Sequence, residues 1–145
     1  MSGVAVEIDA EIAARALGRL TDAELETIVY EIGALVEDQT KLRISDEKIS
    51  PDGDAWSAWS EAYAGTRKSH HSLLVDTGNP GLLESVQNYS AGLEAMVGTN
   101  LIYGAIHQFG SEDGKLPARA YLGLSADNRA AIEELVAGRV EELLQ

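Results

Sequence analysis

The 145-residue chain contains no cysteine, so it offers no disulfide framework, no thiolate metal site and no cysteine nucleophile. It is also poor in cations. Eleven Lys and Arg stand against 24 Asp and Glu, for a formal charge of −13. The bases Arg15, Arg19, Lys41, Arg43, Lys48, Arg67, Lys68, Lys115, Arg119, Arg129 and Arg139 are scattered through the sequence. A surface of that balance repels a phosphate backbone, so sequence-specific nucleic-acid binding is not expected. The acids read most simply as solvation of helix faces. No apolar run approaches the roughly 20 residues that a membrane-spanning helix needs. The opening MSGVAVEIDAEIAARALGRL lacks the basic start and apolar block of a secretory signal. A soluble product that stays where it is made, with no membrane partner, is the expectation. Internal repeats, heptad arrays and low-complexity tracts are missing too.

What is present fits one domain over residues 1–145, long enough to bury a core without staples. Thr21 or Asp22 can cap a helix whose apolar residues Leu25, Ile28, Val29, Ile32, Leu35 and Val36 recur at three- and four-residue steps. A brief strand over Val4 to Ile8 and a shorter helix around Ala10 to Leu20 are expected before it. Ser125 is placed to cap a last helix with the stripe Ile132, Leu135, Val136, Val140, Leu143 and Leu144. Between the long helices, Leu82 to Thr99 reads as an antiparallel hairpin turning at Ser90-Ala91-Gly92. Leu101 to Phe109 reads as a short helix with Ile102, Ala105, Ile106 and Phe109 on one side, ended by Gly110. Ala118 to Leu124 reads as a strand. These pieces predict an α+β fold in which a small, mainly antiparallel sheet, including the 118–124 strand, is covered by both long helices.

The stretch from Ser45 to His71 loses periodicity, and Ser50-Pro51-Asp52-Gly53-Asp54 is turn chemistry. Trp56 and Trp59, the two tryptophans of the chain, are spaced to share one side of a helical turn, with Tyr63 a turn further on. Core packing is the ordinary role for such a pair, and a partner-facing aromatic anchor the sharper one.

Several segments, in order, resemble the phage virion morphogenesis family, which includes the tail completion proteins of Mu-like phages and prophages. They are Gly53-Asp54-Ala55-Trp56, then Leu74-Val75-Asp76-Thr77-Gly78 with Leu82 or Leu83 and Ser85-Val86. The most specific are Tyr103-Gly104-Ala105-Ile106-His107-Gln108-Phe109-Gly110 and Pro117-Ala118-Arg119-Ala120-Tyr121-Leu122-Gly123-Leu124-Ser125. The chain departs from the pattern at Asn79-Pro80-Gly81, a longer insertion, and at Ala120-Tyr121, where Pro-Phe is usual. The resemblance implies a non-enzymatic protein without cofactor that acts in tail completion or at the head–tail junction. It implies a homo-oligomeric ring, with a hexamer as its candidate size, in the virion tail or neck after assembly in the host cytoplasm, next to other tail or neck proteins. The family-motif positions that become candidate interface residues are Trp56, Trp59, Asp76, Gly78, Tyr103, His107, Gln108, Phe109, Gly110, Pro117, Arg119 and Tyr121. The glycines at 78, 104, 110 and 123 permit close backbone approach or positive φ.

Chemical readings compete with this. Leu73-Leu74-Val75-Asp76-Thr77-Gly78 has the form of an aspartic protease signature, in which two such carboxylates share a proton. A retroviral-type homodimer would need one copy per chain. That fold is nearly all β, however, and this chain gives two long segments to helix, with Pro80 close behind the turn. His70, His71 and His107, with Asp76, lack metal-ligand spacing, so no metal or small-molecule site is expected. There is no Gly-x-Ser-x-Gly elbow and no phosphate-cradling Gly-x-x-x-x-Gly-Lys loop. A protein-binding adaptor that uses the C-terminal helix is a further class.

Overall fold

A computed structural model of the chain describes residues 4–9, 20–60, 65, 72–75 and 81–143. The expected helix around residues 10–20, apart from Leu20, lies outside the described residues, along with Tyr63, His70, His71, Asp76 and Gly78.

The first helix, α1, runs Asp22–Leu42 and starts where its capping chemistry dictates. Thr21 Oγ1 accepts from the Glu24 amide at 3.1 Å, and Glu24 Oε1 accepts from the Thr21 amide at 3.0 Å. This reciprocal box satisfies two of the donors a helix start leaves orphaned. The stripe Leu25, Ile28, Val29, Ile32 and Val36 is buried, each side chain worth about 1.5–3 kcal/mol in removed apolar surface. After Leu42 the backbone widens into a π-helical turn, Arg43–Glu47, which Lys48 ends with φ 58° and its amide on the Arg43 carbonyl.

Among the described residues the sheet has three strands in the order β1-β3-β2, all antiparallel. They are β1 (Val4–Asp9), β2 (Gln87–Asn88) and β3 (Glu94–Thr99). The central strand β3 pairs with β1 from Val4↔Thr99 to Asp9↔Glu94. It buries Ala95, Val97 and Thr99. The α1 helix packs across β3 and β2. At that short outer strand the Asn88 amide donates to the Glu37 carboxylate at 2.7 Å, and the Asn88 side-chain amide donates to the Tyr30 carbonyl at 3.1 Å.

The mixed architecture and the first strand agree with the sequence, and four details differ. Leu82–Ser85 is one turn of helix, α2, rather than the start of the hairpin. The Ser85 hydroxyl bonds back to the Leu82 carbonyl at 2.7 Å and meets the Thr99 hydroxyl at 2.6 Å, which closes that turn onto β3. Residues 118–124 join no sheet and bend at Leu122 and Gly123, and side chains take the place of a neighbouring strand. Trp56 and Trp59 lie on non-helical backbone, held through the Ile49↔Ala55 bridge and the Trp56 amide bond to the Lys48 carbonyl. The last helix, α4 (Ala126–Leu143), rests chiefly on α1 rather than forming a second cover on the sheet. Its Ile132, Leu135, Val136 and Val140 are half-buried against the core, and Arg139 Nε meets Glu31 Oε2 at 2.6 Å.

Candidate functional site

The helix α3 (Gly104–Phe109) and the run after Pro117 form one unit, held by the Gln108 side chain. Gln108 Oε1 accepts from both the Tyr121 and Leu122 amides at 3.0 Å, and Nε2 donates to the Leu122 carbonyl at 3.1 Å. A single amide side chain thus does what a partner strand would do, satisfying peptide groups that would otherwise be stranded. The Arg119 amide adds a bond to the His107 carbonyl at 2.7 Å.

Three further side chains anchor the run. Tyr121 is fully buried and its hydroxyl donates to the Gly104 carbonyl at 2.8 Å. Burial, with Tyr103 nearby, pushes its phenol well above the usual tyrosine range, so it remains a donor. Trp56 Nε1 donates to the Ala120 carbonyl at 2.8 Å. Arg119, nearly buried, donates from Nε to the Ser57 carbonyl at 2.8 Å and from an outer nitrogen to the Ala58 carbonyl at 3.1 Å.

Arg43 supports the same run from behind, and sequence reasoning assigned it no role. It is 1% exposed and donates to the Tyr121 carbonyl at 2.8 Å, to the Gly123 carbonyl at 3.4 Å, and to the side chain of Asn128. Desolvation lowers its pKa, opposed by the Glu47 charge. Asn128 completes the cap of α4 by accepting from the Ser125 amide while Ser125 Oγ accepts from the Asn128 amide. A signal was available. Position 43 continues the buried stripe through Val36 and Thr40, and a cation on an apolar stripe needs fixed acceptors.

Gly110 ends α3 at φ 81°, a conformation that disfavours any side chain. A Cβ there would also meet the Ala118 nitrogen and the Leu116 oxygen at 3.0 Å. The loop that follows is tied internally, with Ser111 Oγ accepting from the Leu116 amide at 2.9 Å and Asp113 Oδ1 accepting from the Lys115 amide at 3.0 Å. It returns the chain to Pro117 beside the helix it left.

This framework presents two surfaces of different character. One is a cleft of about 560 Å³ whose lining includes Trp59, Leu74, Tyr103, His107, Pro117 and Arg119. Leu74 enters its wall with φ 63°, from a tight turn closed by Ser72–Val75 backbone bonds of 3.1 and 2.8 Å. The Tyr103 and His107 rings meet edge to face with centroids 5.6 Å apart. Burial, then the Arg119 charge, holds His107 below the usual histidine range. The other surface is a ridge. Of the stripe Ile102, Ala105, Ile106 and Phe109 expected from the sequence, Ile102 lies in the turn before the helix and Ala105 is half-buried, while Ile102, Ile106 and Phe109 face outward, with Ile102 78% and Phe109 70% exposed.

The sequence-predicted residues Trp56, Tyr103, His107, Gln108, Phe109, Gly110, Pro117, Arg119 and Tyr121 are therefore parts of one structure. Trp59 joins them in the cleft wall. Asp76 and Gly78 lie outside the described residues. Among the described residues, no group of three or more His, Asp or Glu could hold a metal ion. Nor is any described helix long and apolar enough to cross a membrane.

Comparison with known proteins supplies kinship. The sequence model of the phage virion morphogenesis family matches residues 8–141. A protein G of Escherichia phage Mu, whose name assigns it to capsid assembly, is 30% identical over 111 residues, which cover 69% of this chain and 70% of that protein. The Mu-like prophage FluMu G protein 2 of Haemophilus influenzae is 44% identical over 66 residues, 42% of this chain and 46% of that protein. No solved structure matches the chain.

Proposed function

The chain belongs to the phage virion morphogenesis family, and from that premise we propose that it completes the tail or forms the head–tail junction as a ring of identical subunits, without catalysis. The observation that carries this reading is the use made of the signature side chains. Gln108, Arg119, Tyr121 and Trp56 are spent on backbone carbonyls and amides that fix α3 and its neighbouring run. What that rigid support displays is an apolar ridge beside a cleft. Such a pairing suits a repeated protein contact. Its partners on this reading are copies of itself and neighbouring tail or neck proteins, and its location is the tail or neck of the particle.

The net charge of −13 adds a role in a ring that encircles the genome, since an acidic lining keeps DNA from adhering. The test is a phage or prophage from which this gene is removed, with particles viewed by electron microscopy. Unjoined heads and unfinished tails, restored by the gene in trans, are expected. Normal infectious particles would overturn the assignment. Light scattering on the purified chain separates the ring from an adaptor, which stays monomeric at all concentrations and binds a single partner.

A further inference from the structure

We propose that the α3 ridge of one copy seats in the Trp59–Arg119 cleft of the next, as a repeated head-to-tail contact. This rests on the ring reading above and assigns the surfaces that would build it. Ile106 and Phe109 on α3, with Ile102 in the turn before it, form an exposed apolar patch, and Phe109 is 70% exposed. His107 on the same helix and Tyr103 just before it line the concave cleft of about 560 Å³. Successive helix positions differ by about 100°, so Ile106 and His107 of α3 point in different directions and one copy does not fill its own cleft with its own ridge. Two unlike patches on one chain define a heterologous contact, the kind that closes into rings.

Charge selects the same arrangement. Glu112 and Asp113 share with Ile106 and Phe109 the lining of a shallow hollow. Hydrogen bonds from Ser111 and the Lys115 amide keep the Asp113 carboxyl below the usual range, and so ionised. The cleft instead presents Lys115, with the nearly buried Arg119 behind its wall, in a chain with only 11 Lys and Arg. Ridge against ridge would oppose the acids of both copies, whereas ridge in cleft brings them toward cations. The contact would centre on an aromatic anchor in a pocket, the usual form of an interface hot spot. Gln108 holds both surfaces at fixed geometry, because its bonds fix α3 to the run that carries Arg119.

The experiment uses the full chain with light scattering after size exclusion, with circular dichroism to check folding. Phe109→Glu alters the ridge and Leu116→Glu the cleft, and both positions are exposed in the single copy. The wild type is expected to form a multi-subunit species, and each variant alone to associate at least tenfold more weakly. Mixed in equal amounts, the two variants should recover a one-to-one dimer and nothing larger, because one sound ridge and one sound cleft remain between them. A wild-type ring together with an undiminished Phe109→Glu ring would overturn the contact and leave the ring reading standing. A mixture that stays monomeric would also overturn it, since the ridge then does not pair with the cleft. A wild type that is monomeric at every concentration would overturn both.

Discussion

Replacing Gln108 with alanine removes three hydrogen bonds at once. It strands the Tyr121 and Leu122 amides and the Leu122 carbonyl in a partly buried place. An unsatisfied buried group costs about 1–3 kcal/mol. Water reaches half-buried groups, so the low end applies to each and the sum is about 3 kcal/mol. That is a large share of the roughly 5–15 kcal/mol by which a domain is stable. With a urea slope of about 2 kcal/mol per molar, the unfolding midpoint should fall by about 1.5 M at unchanged slope. The assay is urea unfolding followed by circular dichroism and by tryptophan fluorescence. Trp56 donates to the Ala120 carbonyl next to the affected amides, so its emission reports on the same run. Gln108→Glu is the control. It keeps two acceptor positions for the amides but sets a carboxylate oxygen against the Leu122 carbonyl, and its cost should fall between wild type and alanine. A Gln108→Ala midpoint within about 0.3 M of wild type would refute the argument, because 0.6 kcal/mol at that slope is less than one stranded group.

Gly110→Ala should lower stability by about 1–3 kcal/mol, seen as a reduced melting temperature, since it adds a Cβ at φ 81° within 3.0 Å of backbone atoms. Arg43→Met should cost about 3 kcal/mol or more in urea unfolding, because it leaves the Tyr121 carbonyl and the Asn128 side chain without their buried donor. The folded state holds His107 below its ordinary pKa, so the unfolded chain binds the proton more readily. Stability is then fully present above the ordinary histidine value near about 6.5 and declines as pH falls from there through the depressed value. Melting temperatures measured across that window should show a smaller acid loss for His107→Gln than for the wild type.

The long helix was legible because its signals are local. Thr21 and Glu24 sit three residues apart, and the buried stripe repeats every turn. The caps at Ser125 and Gly110 were legible for the same reason. The run at 118–124 was not, since its residue pattern looks the same whether its partner is a strand or a set of side chains. Here the partners are Gln108, Arg43 and Trp56, which lie from 13 to 80 residues away. The apolar stripe of α3 was found, but periodicity reports that a face exists and not whether the fold covers it. Arg43 was missed because its charge weighed more in the reading than its place on the stripe, and its acceptors come from residues 121–128.

The outer strand β2 has only two residues, and on its side of the sheet the side chains of Glu37 and Asn88 knit it to α1. Open sheet edges are templates on which further strands polymerise without limit. With this margin short and occupied, the molecule has no backbone handle there for runaway fibril growth. Whatever meets this margin is thereby left to do so through side chains, where contacts can be released and remade.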